Sequence, residues 1–481
     1  MKYKLIAIIS VCIMCMVSLF GCGNNPLSIG PNTTDTVYGN GGMVVQKGEY
    51  LYYVNGYVSN LALTYSDNRN DSTINSAIYR TTLNADGSID YDDDGNILNT
   101  YQVVSKVAGF ENTGIYIFGN YLYYATPNNQ RDKEGDLRTD LIDFYRIKLD
   151  GSDNEKIYTS GEFENIEFAF YSTSAGITLA VYEGANLVTI NVGKKIGSPV
   201  TLATNVTSVA FPELTNYRAN ETIDDINTYL YYTRDILDSD NLSVSNGNVA
   251  VKAKLGTNSQ TVLCIDGSNT YDFITVKNSR LYYTRKNNVE QIAKIYESKM
   301  LTNNLVNVDN NNVTQRTNLE YTTVVPMPYA SGSYSGLLVT DADGNLKYVK
   351  DENETTNGRG TDITLLGTDT DIKVLAISGG YIVYTDADEL FYMSVDNADV
   401  VISLLGTNDS AKLSINVAGD ICGSTGQYFY FYKEVVGTYG DTTYYLFRTD
   451  LFDIDTEGAK PCYLVGVYED GDEPIEEDEE E

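Results

Sequence analysis

The sequence predicts an all-β chain, and three observations carry that prediction. Tyrosine is abundant at 41 of 481 residues, while proline is scarce at 9 and tryptophan is absent. A broad aromatic ring suits a pleated, half-buried surface, so this composition favours strands. A tyrosine-rich phrase also recurs, as "GEYLYY" (48–53), "GNYLYY" (119–124), "NTYLYY" (227–232) and "NSRLYY" (278–283). Finally, strands of this kind centred on Leu51, Leu122, Ile177, Leu230, Leu281, Leu338, Ile382 and Phe429 follow one another at intervals of 44 to 71 residues.

The N-terminus comes first in the chain. Lys2 and Lys4 precede an uncharged run from Leu5 to Phe20. Its 16 residues are short for a membrane span, which needs about 20, and suit a secretory signal peptide. The run ends in "LFGC" (19–22), which resembles the bacterial lipoprotein signal. That resemblance implies lipidation of Cys22, cleavage after Gly21 and a place on the outer face of the cytoplasmic membrane, in the cell envelope. One acyl chain holds a protein only marginally, whereas two or more give stable attachment. Residues 22–42 are rich in Gly, Asn and Thr and read as a flexible tether.

The body follows over 43–467. Four strand-like runs fit each unit: in the second, "GIYIFG" (114–119), "YLYYAT" (121–126), "DFYRIKLDG" (143–151) and "EKIYTS" (155–160). The seventh reads "KVLAIS" (373–378), "YIVYTD" (381–386), "ELFYMSV" (389–395) and "VVISLL" (400–405). A period near 40–50 residues with four strands per unit is the signature of a β-propeller. The expected architecture is a single propeller of eight four-stranded blades, or seven if the third or sixth unit is irregular. A strand buried on both faces reads as a continuous apolar or aromatic run, so the repeated tyrosines are expected to be core. The phrasing "YLYYAT…FYRIKLDGS" resembles YWTD-type and TolB-type propellers. It is also similar to a family of propeller lipoproteins of unassigned function from Gram-positive bacteria. The YWTD tryptophan is missing here; "VYTD" (383–386) is the nearest match.

Antiparallel strands place every second-to-third connection on one side of such a disc. The longest connections fall there, at 55–76, 127–143, 234–248 and 433–443. Loops on a rigid scaffold commonly carry binding, and Arg131, Arg138 and Arg234 are among the few cations of that face. "DYDDDGNIL" (90–98) sets Asp90, Asp92 and Asp94 at alternate positions before Gly95, which suits the first half of a calcium loop. Leu98 and Tyr101 then stand where a calcium loop requires further ligands, so Ca2+ is the single cofactor considered. Cys422 and Cys462 are expected in or near the innermost and outermost strands of the last unit. Those strands lie three spacings, about 14 Å, apart, beyond the roughly 7 Å a disulfide allows; both thiols are expected to be unpaired. The tail 468–481 carries ten acidic residues, and a block of like charge stays disordered.

Function is bounded more by absences. A net charge of −33, without a Lys/Arg cluster, excludes nucleic acid as a partner. The count of histidines is 0, which removes every Ser-His-Asp or Cys-His site and every zinc site built on imidazole. The preferred expectation is a monomeric, non-catalytic, lipid-anchored binding or scaffold protein. It would present its loop-rich face to a protein or glycan and meet the membrane through Cys22. The alternative is an extracytoplasmic carbohydrate-active enzyme, hydrolase or lyase, using carboxylates and tyrosine.

Overall fold

The computed structural model describes residues 35–56, most of 76–128, most of 141–212, 217–218 and most of 229–299; beyond residue 300 it describes the strands given below with a few flanking positions. The expected signal peptide (1–21), Cys22, Cys422 and the acidic tail (468–481) lie outside the described residues.

All of the named elements are β-strands, and they pair antiparallel. Sheet one holds β1 (Thr36–Tyr38), β2 (Val44–Lys47), β3 (Tyr50–Asn55), β4 (Ala77–Thr82) and β5 (Tyr101–Val104). Sheet two holds β6 (Tyr116–Phe118), β7 (Tyr121–Pro127), β8 (Ile142–Lys148) and β9 (Glu155–Thr159). Sheet three holds β10 (Glu167–Thr173), β11 (Gly176–Glu183), β12 (Asn186–Val192) and β13 (Val200–Ala203). Sheet four holds β14 (Val206–Ala210), β16 (Tyr229–Asp235), β17 (Asn248–Lys254) and β18 (Gln260–Asp266), while β15 (Tyr217–Arg218) joins sheet one. Sheet five holds β19 (Asn269–Lys277), β20 (Arg280–Asn287), β21 (Ala293–Lys299) and β22 (Val313–Gln315). Sheet six holds β23 (Thr323–Pro326), β24 (Gly336–Thr340), β25 (Leu346–Lys350) and β26 (Asp362–Leu366). Sheet seven holds β27 (Ile372–Ser378), β28 (Tyr381–Asp386), β29 (Glu389–Ser394) and β30 (Asn397–Ser403). The last sheet holds β31 (Tyr428–Val436), β32 (Thr442–Asp450) and β33 (Cys462–Tyr463).

Each of the eight tyrosine-rich runs therefore falls in its own sheet. The two units with the most diverged sequences, the third and sixth, are regular four-stranded sheets. Successive side chains on a strand point to opposite faces, and in β3 both Tyr52 and Tyr53 are buried. Consecutive sheets pack on both faces of one another, which is why the strands are apolar throughout. Phe144 of sheet two, Val188 of sheet three and Tyr232 of sheet four share one core cluster. Tyr231 and Tyr283 join sheets four and five, Tyr282 and Val339 join five and six, and Leu338 and Tyr384 join six and seven. Tyr430 and Leu446 of the last sheet pack into the cluster of Val54 and Ile78 in sheet one. Tyrosine hydroxyls add polar rivets between sheets: Tyr116 donates to the carbonyl of Phe168 at 3.2 Å, and Tyr171 to that of Pro212 at 3.1 Å.

A basic residue on the third strand repeats this pattern. Arg146 of β8 donates from Nη1 to the carbonyl of Gly193, in the β12–β13 turn of the next sheet, at 2.7 Å. Arg448 of β32 makes the same contact with Gly87, in the β4–β5 connection of sheet one, at 2.9 Å. Arg80 of β4 lies over the ring of Tyr50 at 4.4 Å, and Lys252 of β17 over that of Tyr229 at 5.0 Å.

Sheet one departs from the expected four strands, and its order is β15-β1-β2-β3-β4-β5. β1 falls within 22–42, so the stretch expected to be tether is already paired from Thr36. Val37 lies opposite both Lys47 and Tyr217, which ties the N-terminal strand to the β14–β16 connection of sheet four.

One buried tyrosine is left incompletely satisfied. The ring of Tyr283 stacks on Tyr296 at 5.6 Å, while its hydroxyl has no hydrogen-bond partner among the described residues. A buried polar group without a partner costs about 1–3 kcal/mol. Tyr283→Phe is therefore expected to leave the protein as stable as before, or about 1 kcal/mol more stable, in urea unfolding; a clear loss of stability would contradict it.

Candidate functional site

The second-to-third connections of sheets one, two, four and eight leave the same side of the fold, between β3 and β4, β7 and β8, β16 and β17, and β31 and β32. Most residues of these connections lie outside the described ones, Arg131 and Arg138 among them. Their bases are described, and two polar groups organise them.

The first group closes the β7–β8 connection. Asp143, at the start of β8, is buried. Its Oδ1 accepts from Asn128 Nδ2 at 3.0 Å and Thr159 Oγ1 at 2.6 Å, and forms an ion pair with Lys156 at 2.6 Å. The second group lies one residue further along the same strands and bridges to sheet three. Tyr158 of β9 donates to Glu183 Oε1, at the end of β11, at 2.8 Å. The other oxygen, Oε2, accepts the backbone N–H of Gly161 at 3.2 Å. The Tyr158 ring stacks on Phe144 at 6.2 Å, which fixes its direction. Burial, the hydrogen bond to Glu183 and the charge of Glu183 all push the Tyr158 hydroxyl above the ordinary phenol range. This phenol therefore remains a proton-bearing donor at any physiological pH, beside a carboxylate acceptor. Such a pair can orient a hydroxyl or water and take up its proton.

Arg234, expected as a cation of this face, is committed within its own loop. Its Nη1 and Nη2 bind Asp240 Oδ2 and Oδ1 at 2.8 and 2.9 Å, and the Leu237 N–H also donates to Asp240 at 2.8 Å. The Arg234 hydrogen bond, then that of Leu237, hold Asp240 down to about 2, from an ordinary 3.8. A depressed folded pKa stabilises above the unfolded value and loses that contribution as pH falls. Protection of the Leu237 amide, taken against its intrinsic exchange rate at each pH, should therefore fall as pH drops from about 4 towards about 2. Asp240→Asn is expected to abolish that pH dependence.

Asp90 lies on the opposite side, in the β4–β5 connection, where its Oδ1 accepts from Asn84 Nδ2 at 2.7 Å. Asp92 and Asp94 lie outside the described residues, and with them the calcium expectation. Cys264 is buried on β18, and Cys462 lies on β33, at the edge of its sheet.

Sequence reasoning missed both polar groups. Tyr158 and Glu183 are 25 residues apart and meet only because sheets two and three pack face to face. The third-strand basic residue did leave a signal, in "IYR" (78–80), "FYR" (144–146) and "LFR" (446–448).

No protein-family model matches this chain, and no curated protein does. Solved structures do. A dipeptidyl peptidase 4 of Porphyromonas gingivalis is 10% identical, with 92% of this chain and 62% of that one covered, at a TM-score of 0.47. A structure from a study of two prolyl endopeptidases is 10% identical, covering 88% and 55%, at 0.43. The Dos1 propeller is 8% identical, covering 85% and 94%, at 0.42. The chain thus spans about half to three-fifths of the length of the two peptidase structures. At these identities the likeness concerns the β-propeller fold and assigns no activity. It does correct one expectation. The non-catalytic binding or scaffold reading rested on the fold and on missing motifs, yet structures of similar fold are here chiefly peptidases, so a propeller is no ground for excluding an enzyme.

Proposed function

We propose that the chain is an extracytoplasmic carbohydrate-active enzyme, a hydrolase or lyase, lipid-anchored through Cys22 and working with carboxylates and tyrosine on its loop-rich face. The observation that carries this reading is the Tyr158–Glu183 pair near the base of a long connection, with the Asp143 group on the other face of the same sheet. With no histidine in the chain, proton transfer must fall to groups of this kind. Glu183 accepts the proton of a substrate hydroxyl or of water. Tyr158, held as the neutral phenol, donates its one proton to Glu183 and fixes the direction of that carboxylate. Asp143, clamped by Lys156, Asn128 and Thr159, holds the connection in place.

The same reading takes the eight sheets as eight blades of one closed propeller. Its support is the Arg448–Gly87 contact and the packing of Tyr430 and Leu446 on sheet one, which repeat contacts between neighbouring sheets. A closed ring makes the loop-rich face one rigid platform, which a site spread over two sheets requires. The enzyme acts as a monomer at the outer face of the membrane.

The test is a screen of the purified chain against polysaccharides, uronate-containing ones included, beside a panel of peptides. New reducing ends or unsaturated products support the reading. Cleavage of peptides alone, or of nothing, overturns it.

A further inference from the structure

The position of β1 relative to its neighbours sets which way the molecule faces. β1 runs antiparallel to β2, with Val37 opposite Lys47 and Tyr38 opposite Gln46. Its first residue therefore lies at the β2–β3 turn. Asp35 confirms the side: a Cβ placed on Gly48, in that turn, would lie 2.5 Å from Asp35 Oδ2. The same side carries the first-to-second and third-to-fourth turns of the other sheets. Lys47 donates to the carbonyl of Gly119 in the β6–β7 turn, and Gly256 in the β17–β18 turn approaches Thr173 at the β10–β11 turn. The long second-to-third connections leave from the far side.

From this geometry we infer that the membrane lies against the short-turn side, and that the loop-rich face is presented outward, to a polymer arriving from outside the cell. The inference rests on the lipid anchor at Cys22 proposed above. Twelve residues lie between Cys22 and Asp35, and the steps from one to the other reach at most about 45 Å when fully extended. To turn the loop-rich face onto the lipid, that segment must first cross the four strand spacings from β1 to β5, about 19 Å. It must then climb the length of a seven-residue strand such as β8, about 23 Å. Those two distances, about 42 Å together, leave the segment almost fully stretched, whereas the short-turn side is reached without any such extension, so the short-turn side is the one set against the lipid.

The experiment uses the full lipidated chain on phospholipid vesicles containing an acceptor-labelled lipid, with Cys422 and Cys462 changed to serine. Donor dyes are placed by Lys195→Cys, on the short-turn side, or by Ala185→Cys, at the opposite end of β12. Being a strand length apart, the two positions are expected to differ, with about twofold greater energy transfer from position 195. Equal or reversed transfer from a lipidated chain overturns the orientation alone. A chain that carries no lipid, and behaves on vesicles like Cys22→Ala, overturns the anchor and the orientation together.

Discussion

Gly114→Ala is expected to cost about 3 kcal/mol or more, the sum of several lost hydrogen bonds at about 1 kcal/mol each. A Cβ at this position would fall inside the van der Waals envelope of the Gly41 carbonyl. The obstacle is backbone, which cannot swing aside as a long side chain can. Residues 40–42 clasp the start of sheet two: Gly41 N–H donates to the Ile115 carbonyl and Ile115 N–H to that of Gly42, both at 2.8 Å. Asn40 completes the clasp, its Nδ2 donating to the Ile117 carbonyl at 3.2 Å and its Oδ1 accepting the Ile117 N–H at 2.6 Å. One methyl group forces this segment away and breaks the set together. Urea unfolding should show a lower midpoint, and amides 115–117 should lose exchange protection first. An unchanged midpoint would mean that sheets one and two are not joined in this way.

Phe144→Ala is expected to cost about 3–5 kcal/mol, the usual range for deleting a buried aromatic ring. The side chain is fully buried. It meets Phe168 edge-on at 4.9 Å and Phe170 at 6.4 Å, so its removal opens a cavity between sheets two and three. Phe144→Leu refills most of that volume and should cost far less. Because Tyr158 stacks on Phe144, the alanine variant should also misdirect the phenol. Any activity should therefore fall under conditions where the protein is still folded.

The contrast between what was and was not legible in the sequence has a physical basis. Strands such as "YLYY" announce themselves because both faces are buried, so every position is apolar or aromatic and the pattern survives without its partners. The eight tyrosine-rich runs, and their order within units such as 114–160, could be read for that reason. β1 was hidden because three residues, Thr36–Tyr38, form a strand only where β2 and β15 supply partners. Their composition matches the tether around them. Arg234 reads as a free cation in the chain, and only the folded loop reveals Asp240 six residues on. Glu183 is one of 66 acidic residues, and nothing local marks it. Its meaning comes from Tyr158, delivered by a different sheet. The lack of histidine was legible at once, and it narrows the chemistry more than any motif does.

The reading of function depends on Glu183 acting as the proton acceptor. Its most direct test compares the wild-type chain with Glu183→Gln on whichever polysaccharide the wild type cleaves. Glutamine keeps the shape and still accepts the Tyr158 hydrogen bond, but it cannot take up a proton. The rate should fall by about 100-fold or more, the usual contribution of general acid–base catalysis, with the unfolding midpoint unchanged. A glutamine variant that cleaves as fast as the wild type would contradict the assignment.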